Sequence, residues 1–178
     1  MAKSIAQLGG GIAVLDFLEK PIDEFHTLKD KYGVKTSYHQ CDVSNKDSLE
    51  SAFGDAVKAV GQFHGGFTAA GILFNEPLLD ADWDRSLKLL QVNTLGTLWT
   101  AKLIARHLVD TKTPGSIVFV SSLNGQNQHI PVQAVTAYNA SKAGVKGMVG
   151  PLSVELGPHR IRVNSVSPGL YMFQSRPC

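Results

Sequence analysis

The sequence predicts an α/β fold built on a doubly wound parallel sheet, and three observations carry that reading. Short apolar, strand-like runs alternate with helix-like stretches along the 178 residues, the pattern of βαβ units. Asp16, Asp42, Thr68 to Gly71, Ser121-Ser122 and Pro168-Gly169 all fall at predicted strand ends, where such folds gather their ligands. The hydrophobic fraction of 43% is ordinary for a core-bearing chain, and the length suits one domain or most of one.

Each element has its own local reason. Residues 12–16, IAVLD, follow glycines and read as a buried strand; residues 22–32, IDEFHTLKDKY, read as a helix closed by Gly33. Residues 34–40 read as a strand. In CDVSNKDSLESAF, Ser44 is the expected helix cap, with Asp47 reaching back as in a capping box. Leu49, Phe53, Val57 and Val60 give that helix its apolar stripe. Residues 63–70 suggest a strand running into the turn TAAG. Asp80 to Asp110 is helical in pattern, with Trp83, Leu87, Leu90, Leu98 and Ile104 among its apolar positions, until Pro114-Gly115 breaks the chain. SIVFVSS, 116–122, is a β-branched strand ending in serines, and 123–134 is a mostly polar loop. Residues 135–157 read as a helix stopped by Gly157-Pro158, and IRVNSVS, 161–167, as a last strand ended by Pro168-Gly169. Right-handed crossovers would place helices on both faces. With no repeat, low-complexity segment or linker, residues 1–178 read as one unit.

Composition narrows the function. The formal charge is +2, with no basic stripe or acidic tail to suggest nucleic acid. Cys41 and Cys178 form no ligand spacing, so a reducing compartment is the default. The six histidines never stand four apart, so no metal site is expected. The first 17 residues make a poor signal peptide, and no run approaches the ~18 apolar residues of a membrane helix. A cytoplasmic protein is the expectation.

The chemistry is written in TAYNASKAG, 136–144. Tyr138 and Lys142, four apart, lie on one helix face. A free phenol is only ~0.1% ionised at pH 7, and a cation one turn away favours the ionised form. A strand-end hydroxyl such as Ser122 could then hold the reacting oxygen. Taken alone, a tyrosine and a lysine at this spacing are ordinary surface residues.

The wider context changes that. Asp42-Val43, the turn Thr68 to Gly71, QVNTLG (91–96), Ser121-Ser122, YNASK (138–142) and Pro168-Gly169 stand in the order of the short-chain dehydrogenase/reductase family. The chain resembles that family's short, single-domain branch over nearly its whole length, and fungal polyol-type members most. The resemblance implies a Rossmann-like fold and residue roles. Tyr138 would be the acid/base. Lys142 would favour its ionised form and hold the nicotinamide ribose. Ser122 would steady the substrate oxygen, and Asn93 would order the helix and a relay water. Asp42 and Val43 would hold the adenine, Ala70 and Gly71 would belong to the cofactor turn, and Pro168-Gly169 would lie against the nicotinamide. Ser121 has no implied chemical role. Asp16, ending its strand, would accept from a ribose diol and repel a 2′-phosphate, which favours NAD over NADP. Its bland alternative is a helix cap.

Two departures stand out. Thr68 replaces an asparagine of the family turn, a mild change if its hydroxyl still hydrogen-bonds. The segment between Ser122 and Tyr138 is long, and its amides and His129 either line an entrance or form a solvated loop. More seriously, Gly9-Gly10-Gly11 follow a helix and open a strand, the reverse of a phosphate loop. The expectation is an incomplete dinucleotide-binding domain. It lacks the family's first, central strand with its glycine-rich loop, and its last strand. Two unpaired strand edges would then face a gap of about 9.6 Å, two strand spacings.

The leading reading is an alcohol/ketone oxidoreductase using NAD or NADP. A rival is a non-catalytic fragment that pairs with a full-length relative through helices 81–110 and 135–157, which form the subunit interface in the family. A sugar epimerase or dehydratase shares the Tyr/Lys pair but is disfavoured by the Pro168-Gly169 context and the length.

Overall fold

The computed structural model describes residues 2–125 and 134–169. These described residues form five strands and seven α-helices, in chain order α1 (Ala2–Gln7), β1 (Ile12–Asp16), α2 (Asp23–Tyr32), β2 (Thr36–Gln40), α3 (Lys46–Val60), β3 (Gly65–Thr68), α4 (Trp83–Leu90), α5 (Thr97–Asp110), β4 (Gly115–Val120), α6 (Thr136–Gly147), α7 (Val149–Leu156) and β5 (Ile161–Val166). The strands form two parallel ladders, β1-β2 and β3-β4-β5. Helices flank both, as a doubly wound Rossmann-like sheet requires. Among the described residues no strand joins β1 to β3, so two edges stand opposite each other without a ladder partner.

Three apolar clusters follow from this split. The main one joins Ile117 and Phe119 of β4 and Ile161 and Val163 of β5 to Ile104 and Leu108 of α5 and Val145 of α6. On the other sheet, Ile12 packs with Ala6, Leu28 and Val34 on one face. Leu15 joins Cys41, Leu49 and Ala52 on the other. Adjacent strand residues point to opposite faces, so β1 is covered on both sides.

The structure corrects several details. α3 is capped by Asn45, whose side chain accepts from Ser48 N–H at 3.0 Å. Ser44 is unavailable because its hydroxyl donates to Asp42 Oδ1 at 2.6 Å and accepts from Lys88 Nζ. The helix expected from 80 to 110 is three segments: α4, a π-helix at Gln91–Gly96, and α5. The helix expected from 135 to 157 breaks at Met148. Pro151 explains the break, since it lacks an N–H and fits only the first turn of a new helix. Gly33 closes α2 as expected, in the left-handed region at φ 65°. The strands at 34–40, 63–70, 116–122 and 161–167 are shorter in fact. His129 and the tail from residue 170 lie outside the described residues.

Candidate functional site

The site is built where α4, the π segment and α6 meet the carboxyl ends of β3 and β4. Asn93, wholly buried (0% exposed), sits in the π segment. Its Oδ1 accepts from Ile72 N–H at 2.8 Å, and its Nδ2 donates to Ile72 O at 3.0 Å. One amide thus satisfies both backbone groups of a residue beyond β3, as a strand neighbour would. Nδ2 also donates to Ser141 Oγ at 3.0 Å, and Ser141 donates to Tyr138 O at 2.7 Å. Thr97 Oγ1 ties back to Asn93 O at 2.8 Å. The π register, which appears often at functional sites, is held by side chains on both flanks.

Lys142 is 4% exposed. Its Nζ donates to Val120 O at 2.9 Å, at the end of β4, and lies 5.8 Å from the centre of the Tyr138 ring. Burial pushes its ammonium pKa below the ordinary lysine value. Ser121 Oγ donates to Lys142 O at 2.8 Å, anchoring α6 to β4. Ser122 is buried beside it and accepts from Asn124 N–H at 3.3 Å. The short turn that follows fits against α6 only because residue 125 is glycine: a Cβ there would lie 2.7 Å from the Lys142 carbonyl carbon. Pro168 O accepts from Leu123 N–H at 3.1 Å, bringing the Pro168-Gly169 turn to the same strand end. Gly71 closes the group. A Cβ on it would lie 3.3 Å from Asn93 Oδ1 and 3.4 Å from Lys142 Nζ.

The other half lies across a cleft of about 850 Å³, lined by Asp16, Asp42, Val43, Ala70 and Gly71 among others. Asp16 does not cap a helix; its Oδ1 accepts from Leu18 N–H at 3.0 Å. Asp42 Oδ1 accepts from the Ser44 N–H and hydroxyl, and Oδ2 from Lys88 Nζ at 3.2 Å. Burial pushes the Asp42 carboxyl pKa up, but the bonds from Ser44 and Lys88 outweigh it and hold it below the ordinary value. Thr68 departs from expectation: its Oγ1 is buried without a hydrogen-bond partner.

Comparison with known proteins settles the family. The family model described as enoyl-(acyl carrier protein) reductase matches residues 1–175. The chain belongs to the short-chain dehydrogenase/reductase family. It is 31% identical to the NADP-dependent mannitol dehydrogenase of Aureobasidium melanogenum over 94% of its own length and 63% of that protein's. It is 31% identical to the NADH-dependent L-xylulose reductase of Ambrosiozyma monospora, over 95% and 66%. Among solved structures, NAD+-bound xylitol dehydrogenase superposes with a TM-score of 0.86 at 26% identity, over 94% of this chain and 64% of that one. The chain thus spans a little under two thirds of the length of these dehydrogenase/reductase relatives.

A dinucleotide's two ends find fitting groups here, but its pyrophosphate does not. Gly71 leaves open space beside Asn93 and Lys142 that a Cβ would fill, and Asp16 and Asp42 bring carboxylates to the other rim. Gly9 to Gly11 lead from α1 into β1, so among the described residues no glycine loop opens a helix toward the cleft. Sequence reasoning missed Ser141 and Lys88. The first stands inside the quoted motif, but its partner Asn93 is 48 residues away. The second meets Asp42 across 46 residues, and no local pattern announces either pairing.

Proposed function

We propose that this chain carries the acid–base site of an alcohol/ketone oxidoreductase that uses a nicotinamide dinucleotide, with polyols and ketoses as the substrate class. The convergence of Gly71, Asn93, Lys142 and the Tyr138 ring at one strand end supports this best. A nicotinamide held in this cleft would supply the hydride donor or acceptor for the substrate carbon. Tyr138 takes the hydroxyl proton in the oxidative direction and returns it in the reductive one. Ser122 holds the same oxygen. Lys142, fixed on Val120 O, orients the sugar next to the nicotinamide, and Asn93 keeps the π segment in register behind it. Asp16 at the cleft rim favours NAD, because its carboxylate would accept from a ribose diol and repel a 2′-phosphate. The polyol and ketose class rests on the mannitol dehydrogenase and L-xylulose reductase relatives.

The test is a fluorescence titration of the purified chain with NADH and NADPH, followed by oxidation assays on mannitol and xylitol. Saturable binding in the micromolar range with turnover lost in Tyr138→Phe supports the reading; no binding by a folded chain overturns it.

A second reading has an observation of its own. Leu98, Trp99, Ala105, Val109, Leu152 and Leu156 line a mostly apolar groove between α5 and α7, which Lys102, Arg106, Glu155 and His159 also line. We propose that this face pairs with another subunit, which gel filtration coupled to light scattering would show as a dimer or larger species.

A further inference from the structure

We propose that Glu76 is a positioning residue for Tyr138: it latches the segment after β3 onto the entry of α6 and so sets where the phenol stands. The proposal rests on the reading of Tyr138 as the acid/base. Tyr138 lies in the first turn of α6, and the cap residue of that helix, Val135, makes no side-chain cap bond. A first turn has backbone amides without intrahelical partners, and it frays unless something outside the helix holds it. Lys142 is fixed a turn deeper, by its own bond to Val120 O and by Ser121 Oγ on its carbonyl. Holding the pair together therefore calls for an anchor ahead of Tyr138. Ala134, two residues before the helix, stands in the left-handed region at φ 62°, a conformation that costs an alanine free energy. Such residues persist where their surroundings hold them, and they gather at functional sites. The group that holds this one is the Glu76 N–H, which donates to Ala134 O at 2.6 Å.

The Glu76 side chain fixes that N–H in turn. It is only 14% exposed, and both of its oxygens are used: Oε1 lies 3.1 Å from Arg85 Nη1, and Oε2 accepts from Asp82 N–H at 3.2 Å. Asp82 caps α4 by accepting from Arg85 N–H at 2.8 Å. The carboxylate is thus tied to the first turn of α4 at two points, by charge-assisted bonds of the stronger kind. The Arg85 guanidinium also lies 4.5 Å from the centre of the Phe74 ring, and Phe74 lines the cleft. Glu76 therefore joins α4, one wall of the cleft and the start of α6. Asn93 and Ser141 hold the same helix from the π segment, through Tyr138 O. Two anchors on different sides of the first turn leave Tyr138 little freedom to drift from Lys142.

The test reads Tyr138 with and without turnover. The full chain is labelled with 3-fluorotyrosine, and the Tyr138 fluorine signal is assigned by its loss in Tyr138→Phe. Glu76→Ala should shift or broaden that signal and speed hydrogen exchange at the residue 76 amide. A misplacement of about 1 Å can cost about a hundredfold in rate, so kcat on mannitol or xylitol should fall about ten- to a hundredfold, with NADH affinity nearly unchanged. Glu76→Gln keeps an acceptor oxygen and should restore the signal, the exchange rate and most of the turnover. Leu28→Ala, in the cluster on the other sheet, should lower the melting temperature without moving the signal. If Glu76→Ala does not fold, Arg85→Met, which removes the ion pair at a half-exposed position, should move the same signal. An unmoved Tyr138 signal, an equal shift in Leu28→Ala, or an unchanged kcat in an active chain would overturn the proposal. A parent without turnover overturns the oxidoreductase reading instead, and the fluorine signal and the exchange rate still decide whether Glu76 holds Tyr138.

Discussion

Asn93→Leu offers the sharpest test of how the site is held. Leucine has the same branched, four-heavy-atom shape and a helix propensity better by a few tenths of a kcal/mol, so the change removes three hydrogen bonds against a small gain from propensity. Ser141 loses the N–H that donates to its oxygen but still donates to Tyr138 O, so it costs little. The two Ile72 backbone groups lose their described side-chain partners. A buried polar group left unpaired costs about 1–3 kcal/mol. Ile72 is only partly buried, which puts the pair in the lower half of that range, ~2–4 kcal/mol together. For a chain of this size each kcal/mol lowers the melting temperature by about 2–4 °C, so the expected fall is ~4–16 °C. Calorimetry reads the fall, and hydrogen exchange at the Ile72 amide, which should accelerate, localises it.

Asn93→Asp separates the amide from mere bulk. The carboxylate could still accept from Ile72 N–H but not donate to Ile72 O, and it buries a charge where exposure is nil. Burial would raise its folded pKa above the unfolded value of about 3.9. A group shifted that way has its stability fully present below the unfolded pKa and loses it as pH rises through the folded one. The gap to the parent should therefore close as pH falls toward about 4. A melting temperature of Asn93→Leu within about 1 °C of the parent, with Ile72 exchange unchanged, would refute the account of Asn93 as the clamp.

Tyr138→Phe should cut the alcohol/ketone turnover by about 10²–10⁴ while leaving the melting temperature nearly unchanged, since only the hydroxyl is lost. Lys142→Met should abolish turnover yet melt higher than the parent at neutral pH. Burial lowers the Lys142 pKa, so its charge opposes folding fully below the folded pKa, and the advantage of methionine should shrink as pH rises toward the ordinary lysine value. Lys88→Met should move acid unfolding to higher pH. The depressed Asp42 pKa contributes stability present above its unfolded value and lost as pH falls through the folded one, and removing Lys88 raises the latter. Gly96→Ala should weaken cofactor binding more than it lowers kcat, because a Cβ there would lie 2.9 Å from Val43 Cγ2 and 3.0 Å from Val43 O; fluorescence titration beside single-turnover rates would show the split.

What could be read beforehand divides by range. Tyr138 and Lys142 are four apart on one helix, and periodicity alone puts them on one face. Strand-helix alternation and the turn glycines are equally local, so the parallel fold and the missing ladder between β1 and β3 were legible. The π segment was not, because 80–110 carries ordinary helical periodicity throughout. Its register answers a demand from Ile72, 21 residues earlier. The capping of α3 was misjudged for a similar reason: Ser44 has the right chemistry, but Asp42 and Lys88 claim its hydroxyl. The break at Met148 was readable from Pro151, had its missing N–H been weighed. Thr68 shows the opposite failure, a hydroxyl credited with a bond that its buried position does not supply.

The site is divided between two sheets, and this shapes how it must work. Asp16, Asp42 and Val43 belong to the β1-β2 side, while Gly71, Asn93, Ser122 and Lys142 belong to the other. No backbone ladder sets the distance between them among the described residues. That distance depends instead on side-chain links. Lys88 on α4 reaches Asp42 at 3.2 Å, Gly96 lets its helix close on Val43, and Trp99 Nε1 on α5 donates to Glu50 of α3 at 3.4 Å. Exposed ion pairs such as Lys88–Asp42 are worth little individually, so the close approach at Gly96 and the apolar contacts of α3 with Trp99 and Leu103 carry most of the alignment. Hydride transfer demands positioning to a fraction of an ångström. On the proposed function, the half around Asn93, Ser141 and Lys142 is fixed by its own hydrogen bonds, while the half around Asp16 and Asp42 is aligned with it through these helix contacts.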